Sequence, residues 1–479
     1  MNELLVVVGD TLLDRDVDGT VARVCPDAPA PVLDEHTATE RPGGAGLAAL
    51  LAARAGHRVA LVTAIAEDAA GARLCALLAA AGVTVYAMDL PGATPQKMRL
   101  RAHGQVLLRL DRGGPQQDPG EPPAATLAVL ADAAAILVSD YGRGVTRQPA
   151  VRAALAAAAA PIVWDPHPNG AAPVHGARLT TPNLAEVRAL SGDAGNGTRL
   201  STAVRGGRAL RDRWRSAAIA VTMGADGAVL CQSGPTPLVV PPPAAAGGDT
   251  CGAGDRFAAT AALALARGAL VSEAVQEAVA EATAYVAAGG VTTALAAPAA
   301  TPAGDPAGVA AQPSASAVPV GPREAGRIIA DVRARGGTVV ATGGCFDLLH
   351  AGHVATLEAA RRLGDCLVVC LNSDAGVRAL KGPDRPLNPQ DDRARLLAAL
   401  GCVDAVVVFD EPTPATLLTW LRPDIWVKGG DYADGGPDLP ESEVVQRYGG
   451  QTVIVPYLAG RSTTRLITTA QTRRSKEHV

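Results

Sequence analysis

The sequence predicts an α/β protein with two doubly wound lobes. Three observations predict it. The chain has 479 residues, too many for one ordinary core. Short, continuous apolar runs alternate with alanine-rich helical stretches, the pattern of parallel strands covered on both faces. And each half has a glycine turn that opens a helix, in the second led into by an apolar run, the geometry that aims unpaired backbone N–H groups at an anion.

Leu4 to Val8 is the first buried strand and ends in Gly9-Asp10. Strand-like runs follow at Val59–Thr63, Val83–Ala87, Ile136–Val138, Pro161–Trp164, Ala218–Thr222 and Ala228–Cys231. Met98–Arg101 and Val106–Leu110 flank His103-Gly104 and read as a hairpin, part of a lid. Ala294 to Pro322 is rich in Ala, Pro and Gly with Asp305 as its one charge before Arg323, and reads as a tether. A second α/β lobe follows, with strands near Thr338–Ala341, Cys366–Leu371, Ala405–Phe409, Ile425–Val427 and Thr452–Val455. The expected organisation is therefore a first domain over 1–296, a linker over 297–322 and a second domain over 323–479.

Composition narrows the class. A net charge of −4 leaves no basic footprint for nucleic acid. No run of about 18 apolar residues is present, which argues against a membrane-spanning helix. Met1-Asn2-Glu3 lacks the basic region of a signal peptide, and eight cysteines without a Cys-x-x-Cys pair point to reduced thiols. A cytoplasmic enzyme is expected. The 43 basic residues include only four lysines, Lys97, Lys381, Lys428 and Lys476. Where arginine serves as the generic cation, the remaining lysines are candidates for tasks needing a compact ammonium.

In the first lobe the chemistry sits at Gly248-Asp249-Thr250-Cys251-Gly252-Ala253-Gly254-Asp255. Gly252, Ala253 and Gly254 let backbone approach a phosphate, and the helix start adds partial positive charge. Asp255, in the first turn, is repelled by that anion and suits a base that deprotonates an attacking hydroxyl. Four residues of this kind are also an ordinary acidic turn; the longer run resembles the Asp-Thr-x-Gly-Ala-Gly-Asp signature of ribokinase-like carbohydrate kinases. Arg41-Pro42-Gly43-Gly44-Ala45 resembles that family's di-glycine motif, Asn183-Leu184-Ala185-Glu186 its Asn-x-x-Glu segment, and Thr222 to Gly227, with Gly224, its nucleotide loop.

Gly9 to Arg15, Lys97-Met98-Arg99, Leu108 to Asp111 and Ser139-Asp140-Tyr141 are similar to heptose 7-phosphate kinases within that family. The resemblance implies ATP and Mg²⁺ as cofactors, with Asn183 and Glu186 ordering phosphate and metal. It implies that Asp14, Gly43 and Gly44 hold the sugar, and that Lys97, Arg99 and Arg109 hold its distal phosphate. Two positions depart from the pattern. Leu47 stands where the family usually has a sugar-contacting Asn, and Asp165-Pro166-His167-Pro168 replaces Asp-Pro-Lys-Gly.

In the second lobe, Gly344-Cys345-Phe346-Asp347-Leu348-Leu349-His350-Ala351-Gly352-His353 puts two histidines beside a glycine turn and a helix start. A bare His-x-x-His is also a zinc pair or a polar helix start. The whole run resembles the Gly-x-Phe-Asp-x-x-His-x-Gly-His signature of cytidylyltransferase-like nucleotidyltransferases. Asn372 and Asp374 follow a strand end, Lys381 and Arg385 lie in a glycine/proline loop, Lys428 ends another strand, and Ser462-Thr463-Thr464 reads as a helix start. In this order they are similar to heptose 1-phosphate adenylyltransferase domains.

The whole is thus a ribokinase-like doubly wound domain with a small β lid, joined to a Rossmann-like nucleotidyltransferase domain. It resembles the bifunctional kinase/adenylyltransferase family that makes ADP-heptose. The partners implied are heptose phosphates and ATP, with a homodimer through the kinase domain. The transferase signature is shared with enzymes using CTP and small alcohol phosphates. A different sugar or nucleotide, or a kinase domain that only binds, therefore stays open at this point.

Overall fold

The computed structural model describes residues 4–113, 117–192, 195, 197–295, 320–430 and 440–456. By its contacts the chain divides into Met1–Ala225 with Pro242–Pro298, and Asp226–Pro241 with Ala299–Val479.

The elements of the first half are β1 (Leu4–Gly9), β2 (Thr11–Val24), β3 (Pro31–Gly44), α1 (Ala45–Arg54), β4 (Arg58–Ile65), α2 (Ala69–Ala80), β5 (Thr84–Asp89), β6 (Gln96–Ala102), β7 (Gln105–Arg112), α3 (Ala124–Ala131), β8 (Ala135–Ser139), α4 (Pro149–Ala157), β9 (Ile162–Asp165), β10 (Leu179–Thr180), α5 (Leu184–Ser191), α6 (Arg199–Trp214), β11 (Ile219–Thr222), β12 (Ala228–Cys231), β13 (Leu238–Val240), α7 (Ala253–Ala266), α8 (Val271–Ala287) and α9 (Gly290–Leu295). The first unit's parallel sheet has the order β11-β10-β9-β8-β1-β4-β5. The order reverses between β1 and β8, and an open sheet binds its ligand beyond the strand ends at such a switch point. Val6, Val8, Val62, Ile136, Val138 and Trp164 fill the core on one side of this sheet. Continuous Val/Leu runs make strands buried on both faces, as the sequence predicts.

A separate four-stranded sheet, β3-β2-β6-β7, forms the lid. The β6–β7 hairpin is where the sequence places it. Its partners β2 and β3, 14 residues each, are strands that the sequence reading missed. They carry Asp, Glu, Arg and Thr in place of an apolar stripe, and their register is held by ion pairs as much as by burial. β12 and β13 form an antiparallel hairpin in the second unit.

The second unit continues with α10 (Pro322–Ala334), β14 (Val339–Gly344), α11 (Ala351–Arg361), β15 (Cys366–Asn372), α12 (Asp374–Lys381), α13 (Gln390–Ala398), β16 (Ala405–Phe409), α14 (Ala415–Leu421), β17 (Ile425–Gly430), α15 (Pro440–Arg447) and β18 (Gln451–Pro456). Its parallel order is β16-β15-β14-β17-β18, and the switch point lies between β14 and β17. Val339, Ala341, Val368, Val407 and Trp426 fill its core, with Ile329 of α10 against them. No helix among the described residues is long and apolar enough to cross a membrane.

Candidate active sites

The first site lies at the β1/β8 switch point. β1 ends at Gly9 and delivers the buried Asp10; β8 ends at Ser139 and delivers Asp140 and Tyr141. α7 starts at the glycine loop. Its N-cap, Gly252, has φ +81°, and a Cβ there would come within 2.8 Å of the Tyr285 hydroxyl, so only glycine fits. No side chain caps this helix start; the Ala253 N–H donates to the Thr250 carbonyl at 3.1 Å, and among the described residues the Gly254 and Asp255 N–H groups stay open to an anion.

Asp255 follows in the first turn, 7% exposed, and burial pushes its carboxyl up to about 7. The Tyr141 hydroxyl lies 3.5 Å from Asp255 Oδ1. Asp165, at the end of β9, is pushed well above the usual carboxylate range, first by burial and then by the charges of Glu186 and Asp255. Asn183 caps α5, and the Glu186 carboxylate accepts from the Asn183 N–H in a capping box. Thr222 closes β11, and Gly224 and Gly227 have φ of +67° and +83° in the turn that follows.

The lid gathers the substrate candidates on one face. Asp14 pairs with Lys97 and Lys97 with Asp111; two residues on, Asp16 pairs with Arg99 and Arg99 with Arg109. Arg41 lies opposite Asp14 and is ion-paired with Asp16 at 2.5 Å. Strand alternation therefore puts four cations (Arg41, Lys97, Arg99 and Arg109) and three carboxylates (Asp14, Asp16 and Asp111) on the same side. Burial, and then the Arg109 and Arg99 charges, hold the Lys97 ammonium below its usual value despite Asp14. A cluster with one cation in excess suits a phosphate ester. Arg99 bonds both Asp14 and Asp16, whereas Arg109 is exposed and chelated by Asp111. Gly43 makes room for the key carboxylate, since a Cβ there would fall 2.6 Å from Asp14 Oδ2. Leu47 is 3% exposed and packs with Leu50, Leu51 and Val291; it is core. His167 stacks on Tyr141, with ring centroids 6.3 Å apart.

The second site forms where β14 ends. Gly344 closes that strand, and Phe346 follows with φ +43°, a left-handed backbone for a bulky residue. This turn aims the loop at α11, whose N-cap is His350. The His350 and His353 rings stack at 3.9 Å, and Phe346 covers His353 at 5.2 Å. The His353 imidazole is pushed down to about 4 by burial and then by His350 and Lys381, so it is neutral near pH 7.

Asp347 is fully buried and holds the opposing loop. It accepts from the N–H groups of Leu387 and Asn388 and pairs with Arg385, whose Nη2 stays without a partner among the described residues. Arg393 was not among the residues singled out from sequence. It is wholly buried and donates to the carbonyls of Asn388, Cys345 and Asn372 and to the Asp374 carboxylate. One guanidinium thus ties the histidine loop, the end of β15 and the start of α12 together. Arg393→Met strands these acceptors and is expected to cost about 3–5 kcal/mol. Chemical denaturation of the full chain, alongside an unchanged kinase assay, checks this. Lys428 pairs with Glu441 at 3.0 Å and lies 5.5 Å from the Trp426 ring centre. Ser462, Thr463 and Thr464 lie outside the described residues.

Comparison with known proteins matches both halves. The pfkB family carbohydrate kinase profile matches residues 2–298, and the cytidylyltransferase-like profile matches residues 341–456. The Bifunctional protein HldE of Streptomyces coelicolor is 53% identical over 97% of this chain and 96% of its own length. That of Halorhodospira halophila is 40% identical over 98% and 97%. Among solved structures, Arabidopsis thaliana ribokinase complexed with ribose and ATP aligns with 62% of this chain and 98% of its own, at 22% identity and TM-score 0.49. With both constellations present and relatives matched end to end, the chain belongs to the bifunctional HldE family, a sugar kinase and an adenylyltransferase on one polypeptide.

Proposed function

We propose that the first domain phosphorylates D-glycero-D-manno-heptose 7-phosphate at C1 with ATP, and that the second transfers adenylyl from ATP to heptose 1-phosphate, releasing pyrophosphate and ADP-heptose. The domains assigned are 1–296 and 323–479, with 297–322 as the linker. The observation that carries the reading is Asp255, a buried base beside an uncapped helix start, with Asp14 of the lid close enough for its charge to bear on it.

In the kinase step Asp255 takes the C1 proton, the sugar oxygen attacks the γ-phosphorus, and ADP leaves. The N–H groups at Gly252 and Gly254 meet the transferring oxygens, while the Ala253 N–H closes the loop on the Thr250 carbonyl. Asp14, Gly43 and Gly44 hold the sugar, and Lys97, Arg99 and Arg109 its 7-phosphate. Asn183, Thr222, Gly224 and Gly227 hold ATP. Mg²⁺ would be held here by a carboxylate of the chain. Glu186 fits that role: burial raises its carboxyl, and its charge already bears on Asp165, so a cation there relieves a crowded acidic corner. Among the described residues no three acidic, His or Cys side chains gather as a closed metal cage. Mg²⁺ bound there would supply neutralisation of phosphate charge.

In the transferase step the nucleophile is already an anion, so no base is needed. Catalysis is positioning and hydrogen bonding by His350, His353, Lys381 and Lys428, with Gly344, Phe346, Asn372 and Asp374 shaping the nucleotide site and Arg385 Nη2 free for a phosphate. Ser462, Thr463 and Thr464 are assigned to phosphate by resemblance alone. A phosphatase elsewhere must remove the 7-phosphate between the steps. Mass spectrometry of heptose 7-phosphate with ATP and Mg²⁺ tests this. The bisphosphate should appear alone, and ADP-heptose only when a phosphatase is added; no bisphosphate would refute the kinase assignment. Repeating the assay with CTP and GTP separates the nucleotide readings.

A cytosolic homodimer through the kinase lid completes the proposal. β7 is an edge strand exposing Val106, Leu107, Leu108 and Leu110, at 54%, 47%, 55% and 38%. Leu108→Glu is expected to yield monomers by light scattering. An unchanged dimer places the interface elsewhere, and a monomeric wild type removes it.

A further inference from the structure

Asp10 and Asp140 are both buried, at 4% and 2% exposure, and together accept six hydrogen bonds, five of them from the loop over 141–146 and one from Ala171. Asp10 takes the N–H groups of Tyr141, Arg143 and Val145; Asp140 takes those of Gly142 and Ala171 and the Thr146 hydroxyl. Two buried carboxylates spent on a turn fix it far more firmly than a connection requires.

What the turn delivers is the Tyr141 phenol. Its ring lies under Gly44, where a Cβ would meet Cδ2 at 3.4 Å, and against His167. Its hydroxyl points at Asp255 Oδ1, 3.5 Å away, and is the one hydrogen-bond partner of that carboxylate among the described residues. Catalytic hydrogen bonds are often this long before substrate binds. The other titratable groups that face Asp255 are Asp14 from β2, Asp165 from β9 and Tyr285 from α8, and none is a cation.

We infer that Tyr141 is a positioning residue of the phosphoryl transfer: its hydroxyl donates to Asp255 Oδ1 and leaves Oδ2 for the C1 hydroxyl of the sugar. The inference rests on the reading of Asp255 as the base. A donor to the ionised form also favours ionisation, so the phenol keeps the base usable at lower pH.

Tyr141→Phe in the full chain keeps the ring and removes the donor. The acid limb of the phosphorylation kcat/KM profile should move up by about one pH unit, a loss of roughly tenfold near pH 6 that shrinks toward pH 9. Adenylyl transfer by the same preparation should be unchanged, which reports an intact fold. A limb that stays in place, or a loss equal at every pH, overturns the inference. Asp255→Asn is assayed beside it. If phosphorylation survives in that variant, the base assignment itself is wrong. If it is lost while the Tyr141→Phe limb does not move, only the role of Tyr141 fails.

Discussion

Asp255→Asn is expected to lower the kinase kcat by ~10²–10⁴ and to leave adenylyl transfer at the wild-type rate. Asparagine keeps the shape and still accepts from Tyr141, so the effect isolates the proton-accepting oxygen. Stability should move the other way. The folded carboxyl titrates at about 7 and its ordinary value is 3.8. The native state therefore holds a proton that the unfolded chain releases over that interval. The wild type loses stability as pH climbs from about 4 to about 7 and then levels off. Asn carries no such burden, so the variant should gain on the order of a few kcal/mol relative to wild type by pH 8, and nothing near pH 4. Denaturation midpoints at the two pH values check the sign. A variant less stable than wild type at pH 8 would mean that Asp255 is held as a stabilised anion and is no base.

His353→Ala should give the reciprocal pattern, a loss of ~10²–10³ in adenylyl transfer with phosphorylation intact. The stacked rings at 3.9 Å cannot both carry charge without repulsion, and burial already holds His353 neutral. It acts as a neutral N–H donor toward the polyphosphate. Adenylyl transfer should consequently show no His353-dependent limb between about pH 6 and 9. A steep decline across that range, absent from the alanine variant, would show that the imidazolium is the working form.

Much of this was legible in the sequence because the relevant signals are local. Leu4–Val8 and Cys366–Leu371 are apolar without a break, and strands buried on both faces look like that. The two glycine loops announce helix starts within a dozen residues. The lid strands were harder. Asp14-Arg15-Asp16-Val17-Asp18 has no apolar alternation, because its inward face is buried by Arg41 and Arg99 and not by aliphatic neighbours. Arg393 sits in Gln390-Asp391-Asp392-Arg393, which reads as a solvated helix start; only the fold brings Cys345, Asn372 and Asn388 around it. Tyr141 and Asp255 are 114 positions apart, and no periodicity links them. Arg385 reads in the sequence only as a cation in a glycine/proline loop; its pairing with Asp347, 38 residues earlier, becomes visible only in the fold.

The central claim is that two separate sites on one chain each do one reaction. Mixing the Asp255→Asn and His353→Ala chains with heptose 7-phosphate, ATP, Mg²⁺ and a phosphatase tests it most directly. Each variant alone should make ADP-heptose at about a hundredth of the wild-type rate or less, and the mixture should make it far faster, because the diffusing sugar phosphate passes from one intact site to the other. A silent mixture of two folded variants, each keeping its own half-reaction, would contradict the account.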